Sequence, residues 1–169
     1  MGRFGSTQVA SLLIIAVTIF STCTTADGLQ CPPGYDMHYK PGQLCVYLSS
    51  DTATWGHAKA ICENRGARVL ILDTLEVIRW FSTQMSLKME TWLDRSIWMG
   101  GKADGGIWQW NGYKNNKFPI ILSDFVSGKP DIVNPDKKCL AYHVGKINGW
   151  IDMDCSTKYY YACQIYINP

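Results

Sequence analysis

Trp55-Gly56-His57-Ala58-Lys59-Ala60-Ile61-Cys62 sets an aromatic, a small residue and a cysteine three and four positions apart. That spacing predicts one buried face of a helix from about Thr54 to Arg65, with Gly66 as its stop. Working outward, Cys31 and Cys45 precede the run, and Cys139, Cys155 and Cys163 crowd the end of the chain. With Cys62 these are six of seven cysteines, an even set that reads in an exported chain as a disulfide framework rather than a metal cluster. Spacing alone leaves fifteen pairings of six cysteines open.

Export sets the redox compartment. Residues 1–26 carry an early charge, Arg3, an apolar run from Val9 to Phe20, and small residues ending at Ala26, the pattern of a signal peptide cleaved after Ala26. The run is too short to span a bilayer, and no later stretch is apolar enough to do so. Cys23 leaves with the leader. The expected mature chain, residues 27–169, is a single domain long enough for a real core, secreted and extracellular. Without Arg3 it holds fifteen Lys plus Arg against fourteen Asp plus Glu, a balance that argues against a nucleic-acid binder. No Asn-x-Ser/Thr sequon occurs.

Cys31-Pro32-Pro33-Gly34-Tyr35 through Cys45-Val46-Tyr47 reads as two short strands closed by a Pro41-Gly42 turn. Val69 to Leu72 reads as a short buried strand. Asp73-Thr74-Leu75-Glu76 is a capping-box pattern opening a second helix with an apolar stripe of Leu75, Ile78, Phe81 and Met85. Met85 and Met89 read as core fillers. Ile97 to Gly100 and Ile107 to Trp110 have strand texture, the latter ending in an Asn111-Gly112 turn. Irregular sequence fills 113–137, and strands return near Leu140 to Val144 and Tyr159 to Ile167. Tyr113, Phe118 and Phe125 are expected in exposed loop, and one or two of Tyr159, Tyr160 and Tyr161 are expected to point outward.

In order along the mature region stand Cys31-Pro32-Pro33-Gly34-Tyr35, the Trp55 to Cys62 run, Ile97-Trp98-Met99-Gly100, Trp108-x-Trp110-x-Gly112, Gly128-Lys129-Pro130-Asp131, Trp150-Ile151-Asp152 and Cys155-x7-Cys163. Together they make the chain similar to the C-type lectin-like domain in its long form, with an extra N-terminal hairpin. The resemblance implies an α+β fold: two helices, antiparallel sheets, a long irregular loop region and three disulfides, Cys31 with Cys45, Cys62 with Cys163, and Cys139 with Cys155.

The resemblance also locates a departure. Members that bind sugar through calcium carry Glu-Pro-Asn or Gln-Pro-Asp in the long loop, a Glu two residues before the third framework cysteine, and Asn-Asp after the tryptophan. Here those positions are Lys129-Pro130-Asp131, Lys137, and Ile151-Asp152. Two of five ligand positions keep an oxygen donor, two become ammonium groups and one becomes a hydrocarbon. Calcium takes six to eight oxygens, so none is expected at this site, and no other metal or cofactor is implied. One reading is that Lys129 or Lys137 replaces the cation and pairs with Asp131 and Asp152. The other is two solvated lysines on a loop.

The chain has no Gly-x-Ser-x-Gly elbow, His-Glu-x-x-His or phosphate-cradling loop, and His38, His57 and His143 are scattered, so no enzyme is expected. Trp98, Trp108, Trp110 and Trp150 fall at packing positions of the family pattern. The expectation is a secreted, non-catalytic recognition protein whose partners are a glycan, an anionic extracellular surface or a matrix protein, approached through the 113–152 loop face and Lys129, Lys137 and Lys138. The alternative is a structural matrix protein of the perlucin-like, shell-mineral-associated kind.

Overall fold

A computed structural model describes residues 30–112, 114, 116–131 and 137–167, and of Lys137 the backbone. The expected leader 1–26, Cys23 and Tyr113 lie outside the described residues. The chain forms β1 (Met37–Tyr39), β2 (Leu44–Leu48), α1 (Trp55–Asn64), β3 (Arg68–Val69), α2 (Leu75–Leu87), the short α3 (Met89–Trp92), β4 (Arg95–Asp104), β5 (Ile107–Asn111), β6 (Lys117–Pro119), β7 (Lys137–Val144), β8 (Gly149–Asp154) and β9 (Tyr160–Tyr166).

The strands join in one sheet whose main path runs β1-β2-β9-β4-β5-β6, with β7 bridging β4 to β8 and β3 on β9. Strand β4 is the hub: its first half lies between β7 and β9, and its second half carries β5. The β4–β9 contact is parallel, whereas the other paired strands run antiparallel.

Alternation along the strands divides the interior in two. Ile97, Met99, Leu140, Tyr142 and Ala162 face one core with Val77, Ile78, Phe81 and Met85 of α2. Trp98, Ala141, Tyr161 and Cys163 face the other with Trp55, Ala58 and Cys62 of α1. Each helix thus covers one face of the sheet. Two buried indoles find acceptors and lock elements together: Trp55 Nε1 donates to Met99 O at 2.8 Å, and Trp98 Nε1 to Ala53 O at 2.9 Å. Disulfides join Cys31 to Cys45, Cys62 to Cys163 and Cys139 to Cys155.

Several local expectations shift. Helix α2 starts one residue later than the capping box implied, because Thr74 Oγ1 accepts the Val77 N–H at 3.2 Å and takes the N-cap role from Asp73. Leu75 is consequently 48% exposed and Val77 replaces it in the apolar stripe. The strand expected over Val69 to Leu72 is shorter: Leu70 N–H still donates to Ala162 O at 2.9 Å, but Leu70 O accepts from Gly100 and the Ile71 N–H is taken by Gln164 Oε1 at 2.6 Å. Asn111 stays in β5 opposite Lys117, and Gly112 donates to Asn116 O at 2.7 Å, so the turn lies beyond the Asn-Gly pair. A two-residue hairpin turn, Gly105-Gly106 with φ +57° and +82°, joins β4 to β5. Strand β8 arises where the sequence showed only a motif. Tyr161 is buried and Tyr159 and Tyr160 half-buried, against Trp98 and Trp92 respectively, so none of the three points freely outward.

The Cys62–Cys163 bridge closes 101 residues between α1 and β9, whereas Cys31–Cys45 closes only 14 at the hairpin. In the chain-entropy picture the first contributes about 4.7 kcal/mol and the second about 3. Urea unfolding of Cys62→Ala/Cys163→Ala is therefore expected to show a larger loss than Cys31→Ala/Cys45→Ala, and equal losses would contradict this assignment.

Candidate ligand-binding site

The loop after β6 is tied to the start of β8 by backbone. Phe125 bridges Trp150 in parallel register, Val126 N–H donates to Trp150 O at 3.0 Å, and Trp150 N–H donates to Asp124 O at 2.7 Å. Gly149 makes that approach possible, since a Cβ there would lie 2.9 Å from Asp124 O and 2.8 Å from Val126 Cγ1. Aromatic edges finish the clamp: Phe125 meets Trp108 at 5.7 Å and Trp150 at 5.8 Å, and Trp150 meets Trp110 at 5.4 Å. Phe118 and Phe125, expected in exposed loop, are half-buried against the core, Phe118 in β6 opposite Trp110 and Phe125 in this clamp. Burial also raises the Asp124 carboxyl above the usual carboxylate range.

From this anchor the chain turns through Gly128, with φ +80°, where Lys129 N–H donates to Val126 O at 3.0 Å. The turn brings Lys129 over Asp152 of β8. Its ammonium lies 3.3 Å from Asp152 Oδ1, while Asp152 Oδ2 accepts the Asp131 N–H at 2.9 Å. Asp152 has no solvent exposure and Lys129 only 24%. Oδ1 meets the ammonium as a charge contact rather than an aligned hydrogen bond.

The structure thus brings together three of the five positions singled out from sequence: Lys129, Asp131 and Asp152. Ile151 is turned away, because neighbours along a strand face opposite sides; it packs beside the core that holds Trp98 and Trp55. The Lys137 backbone pairs with Asp154 in the β7–β8 ladder, and its side chain lies outside the described atoms. Lys138 is exposed and lines a different cleft, with Lys59, Lys102 and Lys117. Lys129 and Lys138, grouped by proximity in sequence, therefore line separate features, and the β7–β8 register shifts between Lys137 and Cys139. Of the histidines, His57 is exposed on α1, as a surface residue of that helix should be.

Calcium does not fit the described donors. It needs six to eight oxygens at close range, yet both Asp152 oxygens are already engaged, one by a backbone N–H and one by an ammonium. A cation entering here would have to displace Lys129 into a like charge.

Removing Lys129 leaves a buried carboxylate with one remaining partner. Lys129→Met is expected to cost about 1–3 kcal/mol in urea unfolding, the range for an uncompensated buried polar group. Lys129→Met/Asp152→Asn keeps an acceptor for the Asp131 N–H and removes the buried charge, so the double variant should recover part of that loss. Strictly additive effects would show that the two side chains do not interact.

Comparison with known proteins agrees with this architecture. The Lectin C-type domain model matches residues 51–165. The chain is 26% identical over 137 residues to a type-2 ice-structuring protein of Brachyopsis segaliensis, covering 80% of this chain and 72% of that relative. Human lithostathine superposes with a TM-score of 0.68 at 20% identity, covering 87% of this chain and 98% of the other. A calcium-independent type II antifreeze protein superposes with a TM-score of 0.61 at 24% identity, covering 81% and 95%. With most of its length matched by that model and its three bridges in place, the chain belongs to the C-type lectin domain family, a family of binding domains rather than enzymes.

Proposed function

We propose that the chain is a secreted recognition protein that binds glycans or extracellular surfaces without a calcium bridge at its long-loop site. One observation carries this reading: the Lys129 ammonium occupies the coordination space of Asp152, so the loop is held by an internal cation. The loop stays organised because its backbone is anchored on Trp150 and its buried charge is already neutralised. Lys129, Asp131, Lys137, Ile151 and Asp152 then mark a former metal position that shapes the loop face, and ligand contact falls to aromatic, polar and lysine groups. Three disulfides and the absence, among the described residues, of any helix long and apolar enough to cross a membrane are in keeping with an extracellular life.

A structural matrix role of the perlucin-like kind would use the same lysine charge toward acidic matrix partners. Tissue distribution separates the two: haemolymph favours the recognition reading and a washed calcified layer favours matrix.

A glycan array probed in calcium and again in chelator tests the proposal. The same glycans are expected to be retained under both conditions, with binding weakened by added salt, since exposed lysine charge acts over about 8 Å at physiological ionic strength. Loss of all binding in chelator would contradict it.

A further inference from the structure

A second cleft, apart from the Lys129–Asp152 pair, lies between the start of α1 and the β4–β5–β6 face. Its volume is about 420 Å³. Cross-strand register builds one wall: Lys102 stands opposite Gln109, and Asn111 opposite Lys117, so these side chains rise from one face of the sheet. Trp55 and Lys59, four apart on one helical face, form the other wall, and Lys138 of β7 closes the rim.

Charge in the cleft is lopsided. Lys59, Lys102, Lys117 and Lys138 line it with a single carboxylate, Asp104. Lys117 pairs with Asp104 at 3.2 Å, and Lys59 is held by Glu63 of its own helix. Lys102 and Lys138 have no carboxylate partner among the described residues. Lys102 is instead positioned over the Trp55 ring at 5.4 Å. The Asn111 amide is committed to Gly100 O at 3.2 Å, whereas the Gln109 carboxamide has no hydrogen-bond partner among the described residues and remains available as a donor.

We propose that this cleft binds sulfate groups carried on a glycan, with Lys102 and Lys138 supplying the charge and Gln109 a neutral donor. Two ammonium groups without a carboxylate partner among the described residues, and an amide N–H, around a concave space suit a tetrahedral oxyanion with several acceptor oxygens. The same field repels a cation. The cleft is a short, open concavity on a lectin-type domain and the chain carries a net charge of only +2, which favours a short sulfated saccharide over a nucleic-acid backbone that needs a long basic track.

Calorimetric titration of the full mature chain with a heparin-derived hexasaccharide tests this. Lys102→Gln and Lys138→Gln, both surface changes that leave the cores intact, are each expected to weaken binding by about tenfold, the scale of one charge-assisted hydrogen bond. Lys146→Gln and Lys158→Gln, each of which removes the same single charge from an exposed position outside the cleft, are expected to leave affinity unchanged. The desulfated hexasaccharide should fail to bind, and inorganic sulfate should bind far more weakly than the sulfated saccharide. No hexasaccharide binding, equal loss in the Lys146/Lys158 control, free sulfate binding as tightly, or a DNA duplex binding as well would each overturn the proposal. The residues differ from those of the loop pair. Chelator-sensitive glycan binding with an intact sulfate cleft would therefore defeat the preceding reading alone.

Discussion

Asp152 is a carboxylate sealed from solvent within β8, and its charge has to be met inside the protein. An isolated buried carboxylate costs several kcal/mol, more than most single contacts in a domain of this size return. The family's sugar-binding members would meet that charge with a metal ion. Here Lys129 meets it from the opposite side of the loop, and the Asp131 N–H takes the other oxygen. The path of residues 124–131 follows from this need, because the clamp on Trp150, the turn at Gly128 and the direction of Lys129 all deliver one ammonium to one carboxylate.

The pair works only because the sheet beneath it is stiff. Strand β8 is held by β7, β7 by β4, and β4 also binds β5 and β9, while Cys62–Cys163 and Cys139–Cys155 tie these strands to α1 and to the turn after β8. Trp98, Trp110 and Trp150 are fully buried in the two cores, so the platform under the loop is aromatic and close-packed. That rigidity lets irregular loop carry specific geometry. It also leaves the outer face of β4–β6 to hold a cleft whose charge is set by cross-strand register rather than by nearness in sequence.

Much of this was legible from residue order. The Trp55 to Cys62 run marked α1, Gly66 marked its end, and Ile97 to Gly100 marked the hub strand. The Lys129–Asp152 contact was one of two readings open from the exchanged ligand positions, because an ammonium beside a retained carboxylate leaves few alternatives. What failed depended on competition among polar groups. Thr74 displaced Asp73 as the cap, Gln164 intercepted the Ile71 N–H, and Asn111 stayed paired with Lys117 in β5 instead of forming a turn with Gly112. The basic cleft was invisible because Lys59, Lys102, Lys117 and Lys138 meet only through α1 packing and strand register. Ile151 misled because neighbours along a strand face opposite sides.

The internal-cation account is tested most directly by calcium titration of the mature chain beside a Lys129→Glu/Lys137→Glu/Ile151→Asn variant, followed by calorimetry. The account predicts no calcium binding at millimolar concentration in the natural chain, and measurable binding once the two ammonium groups are replaced by carboxylates. Millimolar or tighter binding by the natural chain, localised to residues 124–152, would contradict it.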